Sequence, residues 1–266
     1  DQPYAAYDIG GLATLFRTES RALARSKSPD VDALFKSADL DKALAAFRDG
    51  AWQDPAATML GSTQETWLAH ELKRSVRGGA RWQVVGFGTM IGDARAAKES
   101  ISWLRADAPP YLVQRTLAGA AAARAGMPME YDNWGGYPAA RARFLRDAQR
   151  AGASLIVLCG DSHNGWAFDL AQDGKPAGVE FAGQAVSSSG FESAFTPDPK
   201  VTAAALIAAS PELRWCDTSR RGYMALTLTP DRASNDWVFV DTVRERSAGA
   251  SVGHTANVQR GRNRIA

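Results

Sequence analysis

The sequence predicts an α/β fold, and three observations carry that prediction. Apolar residues at helical spacing (Trp67, Leu68, Leu72) run up to Gly78-Gly79, and the apolar stretch Trp82-Gln83-Val84-Val85-Gly86-Phe87 follows directly. The same helix-then-strand rhythm returns at 139–150 and 154–158, joined through Gly152. Beyond these, the runs are short and alternating, as expected of antiparallel strands.

Taken in order, residues 8–25 place Leu12, Leu15, Phe16 and Leu23 among arginines, which reads as a strand followed by a basic loop. Residues 30–50 carry Leu34, Phe35, Leu40, Leu44 and Phe47 at helical spacing. At Gly61-Ser62-Thr63-Gln64-Glu65, Ser62 is placed to cap a helix, with Glu65 three residues on completing a capping box. The Ala- and Leu-rich segment 112–125 reads as a helix, and Tyr131 to Pro138 as a loop. Ala139 to Arg150 is a helix with Phe144 and Leu145 on its inner face, and 154–158 is a buried strand. Trp166–Leu170, Val179–Ala182, Tyr223–Leu228 and Trp237–Val240 are the candidate antiparallel strands, separated by turn signals such as Asp173-Gly174. From Ser247 the chain is polar and rich in Gly and Arg, and it is expected to be poorly ordered. No internal repeat or linker divides the chain, so residues 1–246 are read as one unit and 247–266 as a tail.

Composition narrows the class. The chain has 266 residues, 45% hydrophobic and 23% charged, which is the profile of a packed soluble globule. A net charge of +2 gives no argument for a nucleic acid or an anionic membrane as partner. No apolar run reaches the length of about 18 residues that a membrane span needs. Cys159 closes a buried strand and reads as a small core residue; a disulfide to Cys216 and a metal role are the alternatives. The first residue, Asp1, is not an initiator Met, so a fragment or a processed product is expected.

The chemistry concentrates at Leu158-Cys159-Gly160-Asp161-Ser162-His163-Asn164. An apolar strand that ends in Gly-Asp-x-His projects a carboxylate and an imidazole from its carboxyl end, where open α/β sheets bind ligands. Asp161 and His163 are candidate metal ligands, because a deprotonated carboxylate and a neutral imidazole are both available near neutral pH. A metal pair there acts as a Lewis acid on a phosphoryl oxygen and activates water. The competing reading is a helix-capping Asp and a hydrogen-bonded turn His. Two side chains are in any case half a site. Asn164 can reach a ligand or brace the turn, and Trp166 reads as core. The loop Asp132-Asn133-Trp134-Gly135-Gly136-Tyr137 either borders a functional cleft or anchors the next helix with its aromatics. Arg21, Arg25 and Arg141 are candidate phosphate contacts, since guanidinium matches oxyanions bidentately, although each is also an ordinary surface or structural cation. Ser187-Ser188-Ser189-Gly190 offers a hydroxyl-rich rim. No Gly-x-Ser-x-Gly elbow, Walker loop or dinucleotide fingerprint is present. His70 reads as solvent-facing and His254 as part of the tail.

Several blocks in this order resemble the C-terminal portion of the PhoD-like metallophosphatases, the alkaline phosphatase D family. They are Met59-Leu60-Gly61 with Gln64, Trp67 and Leu68; Arg81 to Gly86; Asp132-x-Trp134-x-Gly136-Tyr137-Pro138 with Arg141; Gly160-Asp161-x-His163 with Trp166-Ala167 and Leu170; and Glu180-Phe181 followed by Val186-Ser187-Ser188 and Gly190. Together they cover residues 59 to about 243. Leu15 to Arg25 matches the family's first strand only loosely: Glu19 and Ser20 stand where Asp and Thr are usual, and Gly135 replaces a common acidic residue.

The resemblance implies a calcineurin-like sandwich of two packed sheets flanked by helices, here its C-terminal half. It implies hydrolysis of phosphate mono- or diesters at alkaline pH, with iron and calcium as the metals, and export to the periplasm or beyond the cell. Asp161 and His163 carry over as metal ligands, with Asn164 and Arg21 expected to orient phosphate. The family's first half supplies further ligands, and none of those motifs is visible in this sequence. A missing N-terminal segment of the same protein is therefore the expected partner, and the isolated chain is expected to aggregate through unpaired sheet edges. The alternative is a non-catalytic chain that retains the fold for assembly or phosphate binding.

Overall fold

The computed structural model describes residues 2–31, 33–246 and 249–266. A seven-stranded mixed sheet is built from β1 (Ala5–Ile9), β2 (Ala13–Arg17), β3 (Trp82–Gly86), β4 (Leu155–Cys159), β5 (Gly165–Gln172), β6 (Lys175–Ala182) and β7 (Leu213–Asp217). Its order is β1-β2-β3-β4-β6-β5-β7. The inner pairs β2–β3, β3–β4 and β4–β6 are parallel, while β1, β5 and β7 join antiparallel. Parallel strands need both faces covered, which is why β3 and β4 read as near-continuous apolar runs.

The helices are α1 (Leu40–Asp49), α2 (Ser62–Arg77), α3 (Pro110–Arg124), α4 (Pro138–Ala151) and α5 (Pro199–Ala209). Of these, α2, α4 and α5 cover one face of the sheet, while α1 and α3 form a separate cluster with Leu44, Phe47, Ala121 and Ala122 buried between them. Along β4, Leu155, Val157 and Cys159 pack with Leu68 and Leu72 of α2 and Phe144 and Leu145 of α4. Ile156 points the other way, with Val179 and Phe181, against Trp237, Phe239, Ala256 and Val258. These last residues belong to a three-stranded antiparallel sheet of β8 (Gly222–Leu228), β9 (Arg232–Val240) and β10 (Ala250–Gln259), ordered β10-β9-β8. The result is the expected α/β sandwich: two packed sheets, with helices on the outer face of the larger.

Several expectations need correction. The capping box does not form. Ser62 is the first helical residue, Gly61 is the cap at φ 80°, and no side chain caps the helix. The Glu65 carboxylate is already taken by Thr58 Oγ1 and by Arg143. Gly61 is required by packing, since a Cβ there would lie 2.4 Å from the Ala24 Cβ. The polar segment after 249 is not loose: residues 250–259 form β10, paired along β9 and burying Ala256 and Val258. Ser247, where that segment was expected to start, lies outside the described residues. Cys159 and Cys216 are both buried free thiols, so no disulfide joins them. Among the described residues no helix is long and apolar enough to cross a membrane.

Candidate functional site

Three loops meet at the carboxyl ends of β2 and β4: residues 18–31 after β2, residues 160–164 after β4, and the segment that leads into α4. The turn after β4 is held by its own residues. Asp161 and His163 both adopt left-handed backbone conformations, at φ 71° and 62°, which non-glycine residues rarely take. Ser162 Oγ donates to the Asn164 carbonyl at 2.9 Å and accepts from Trp166 Nε1 at 2.7 Å. Asn164 Nδ2 donates to the Ser162 carbonyl at 2.9 Å, and its Oδ1 accepts from Phe191 N at 3.2 Å. Asn164 is 1% exposed with both polar ends in use. It therefore braces the turn, one of the two readings that the sequence left open.

The strained turn sends Asp161 and His163 into one cavity of about 830 Å³, which Arg21, Asp132, Ser188 and Ser189 also line. His163 Nδ1 lies 3.1 Å from the Ser189 carbonyl. That contact fixes the ring with Nδ1 as donor and leaves Nε2 as the free nitrogen, the arrangement typical of a metal-binding imidazole.

Arg21 and Arg25 come from the loop after β2. Arg21 binds Asp132 through Nη1 and Asp161 through Nη2, the latter at 2.7 Å. Arg25 donates to Asp132 Oδ1 at 2.8 Å and to its carbonyl at 3.0 Å. Asp132 thus ties both arginines to the rim. Burial pushes its carboxyl up, but the hydrogen bonds from Arg21 and Arg25 outweigh this and hold it below the ordinary carboxylate value. Arg21 is correspondingly pushed up, first by its bond to Asp132. The loop Asp132 to Tyr137 fulfils both readings at once. Asp132 borders the cavity, while Trp134 and Tyr137 are buried anchors. Gly135 has a steric reason to be glycine: a Cβ there would stand 2.4 Å from the Glu130 carbonyl.

Sequence reasoning missed what positions the arginines. Glu19 accepts from the backbone N–H groups of Arg21, Ala22 and Leu23 at 2.7, 2.9 and 2.8 Å, so the residue departing from the family pattern organises the loop. Gln64 of α2 then clamps Glu19, accepting from its N at 2.9 Å and donating to its carbonyl at 2.7 Å. The signal was a polar residue among the apolar residues of the α2 motif. Arg141 is a further correction. It donates to the Ile91 carbonyl at 2.8 Å and to Glu212 at 2.6 Å, a structural pair rather than a phosphate contact. His70 is solvent-facing as expected, at 77% side-chain exposure. His254 lies in β10 and stacks on Trp215 at 4.3 Å. A smaller cavity of about 470 Å³ beside Glu65 and Arg143 contains none of these site groups.

The PhoD-like phosphatase family model matches residues 1–237 of this chain. The chain belongs to the PhoD-like phosphatase family. Its structure is similar to a solved structure described as "Structure of PhoD", with a TM-score of 0.66 and 20% identity over 100% of this chain. The likeness is one of fold, and the chain spans 43% of that structure's length. Among curated proteins, none matches this chain. PhoD-like phosphatases are generally metal-dependent. Among the described residues, no group of three or more His, Cys, Asp and Glu side chains is placed to hold a metal ion. The donors facing the cavity fit part of such a centre: an imidazole with its second nitrogen already held, and a carboxylate with one oxygen on Arg21.

Proposed function

We propose that this chain contributes one side of the active site of a metal-dependent hydrolase of phosphate mono- or diesters. Asp161 and His163 are its metal ligands, and an upstream segment of the same protein supplies the others. The observation that carries the reading is the convergence of these two side chains, with Arg21, in one cavity at the end of β4. The family match supports the phosphatase class, and the share of the solved neighbour that the chain spans supports a site completed elsewhere. Iron and calcium are the ions proposed from the resemblance. A metal centre bound there supplies charge neutralisation and activated water. This chain's own residues do the rest. Arg21 presents a guanidinium to the phosphoryl oxygens, Asp132 and Arg25 keep it at the rim, and Asn164 holds the turn in its ligand-presenting shape. Export to the periplasm or beyond the cell is part of the same proposal, tested by fractionating expressing cells.

A second reading, a non-catalytic chain kept for assembly or phosphate binding, draws on the Asp161 carboxylate being engaged by Arg21. His163→Ala separates the two. In the complete assembly the hydrolase reading expects loss of 4-nitrophenyl phosphate hydrolysis and of bound metal, with an unchanged thermal melt. Unchanged activity overturns it. Stoichiometric metal and full activity in this chain alone would overturn the shared site.

A further inference from the structure

The cavity that holds Asp161 and His163 does not end at its charged rim. It continues along a row of aromatic rings that ester chemistry at the rim does not require. Trp103 meets Phe195 edge-on with centroids 5.6 Å apart, Phe195 lies 5.5 Å from Phe191, and Phe191 meets Trp166 edge-on at 6.0 Å. All four line the same cavity, as does Leu112 of α3. The row is bonded to the site turn at two points. Trp166 Nε1 donates to Ser162, which sits between Asp161 and His163, and Phe191 N donates to Asn164. The volume of about 830 Å³ lies within the range of small-molecule sites.

We propose that this aromatic-walled chamber binds the alcohol portion of the substrate and that this portion is an aromatic ring system. The substrates are then aryl phosphate esters or diesters with one aryl arm. The phosphoryl group lies at the Asp161–His163 rim, and the ring lies against Phe191 and Phe195, the partly exposed members of the row, with Trp166 and Trp103 buried behind them; edge-to-face packing there favours a further ring. This rests on the hydrolase reading above, but the chamber can be tested without catalysis. The probe is 2-naphthol, the alcohol released from an aryl ester, titrated into the complete assembly by its own fluorescence. Saturable binding is expected. Leu112→Glu, which puts a charge into the lining, and Thr116→Trp, which fills it, should each weaken binding about tenfold, or about 1.4 kcal/mol, without moving the thermal melt. Both positions are partly exposed on α3, so folding is retained. Octan-1-ol, an apolar alcohol without a ring, should bind more weakly. Absence of saturable naphthol binding, or equal affinity in both folded variants, overturns the chamber. Octanol binding as tightly as naphthol overturns the aromatic assignment. Naphthol binding as expected, with no hydrolysis of any phosphate ester by the complete assembly, supports the chamber and sinks the hydrolase reading; hydrolysis of 4-nitrophenyl phosphate without hydrolysis of 2-naphthyl phosphate leaves the hydrolase reading standing and overturns the substrate assignment.

Discussion

Asp161 and Glu180 approach Cys159 from opposite surroundings, and the contrast separates a carboxylate kept for exchange from one kept for structure. Asp161 follows Cys159 in the turn, has a side chain 52% exposed, and meets Arg21 from another loop. Glu180 is fully buried in β6. It accepts from Ile91 N at 2.8 Å, Gly92 N at 2.7 Å and Cys159 Sγ at 3.3 Å. Burial pushes the Glu180 carboxyl up to about 7, against the pull of those two backbone N–H groups, the thiol and the charge of Arg141. The neighbouring thiol is pushed up as well, first by burial and then by the Glu180 charge. Water shares the charge of Asp161, so its partner can change at little expense. Glu180 has fixed amides as partners, and removing it strands them.

The largest expected effect tests the buried member. Glu180→Ala leaves the amides of Ile91 and Gly92 without an acceptor and should destabilise by about 3 kcal/mol, read from urea unfolding. Stability should also depend on pH through this group. The folded state holds its proton above the ordinary value of 4.5, up to about 7, so the contribution is full at lower pH and declines as pH rises between those values. Glu180→Gln should flatten that decline; an unchanged slope would mean that another group sets it.

Next in size is Gln64→Ala. It removes both bonds to Glu19 and should cost about 2 kcal/mol, with faster amide exchange in residues 19–23. If exchange there stays slow, Glu19 alone holds the arginine loop. Asp132→Asn weakens exposed pairs and should cost less than about 1 kcal/mol. The smallest stability effect belongs to the rim itself. His163→Ala should stay within about 0.5 kcal/mol of the parent in unfolding. A loss as large as that of Glu180→Ala would erase the distinction between the two regions.

The legible part of this molecule is the part written in local pattern. β3 and β4 were visible because a strand buried on both faces is a continuous apolar run, and α2 and α4 because their apolar residues fall on one face. α5 escaped because its segment Val201 to Ala209 is apolar apart from the buried Thr202, with no polar face to reveal a helical period. β10 escaped because the residues it buries, Ala256 and Val258, are scattered among polar ones. The pairing of Asp161 with His163 was readable from the strand that precedes them. The partnership of Arg21 with Asp132 was not, since 111 residues separate them and only the sheet brings the loops together. The aromatic row is the extreme case. Trp103, Trp166 and Phe195 lie in separate segments, and nothing near any of them in the chain announces a shared wall.

The guanidinium of Arg21 on Asp161 has a consequence for ion capture. A dissolved cation arriving at this carboxylate meets a tethered competitor of the same sign, so occupancy is a trade between two positive partners. Added salt screens the resident pair and so handicaps the competitor along with the arriving ion. Once displaced, the arginine head stays leashed to Asp132, still beside the opening and with a hand free for whatever anion comes next.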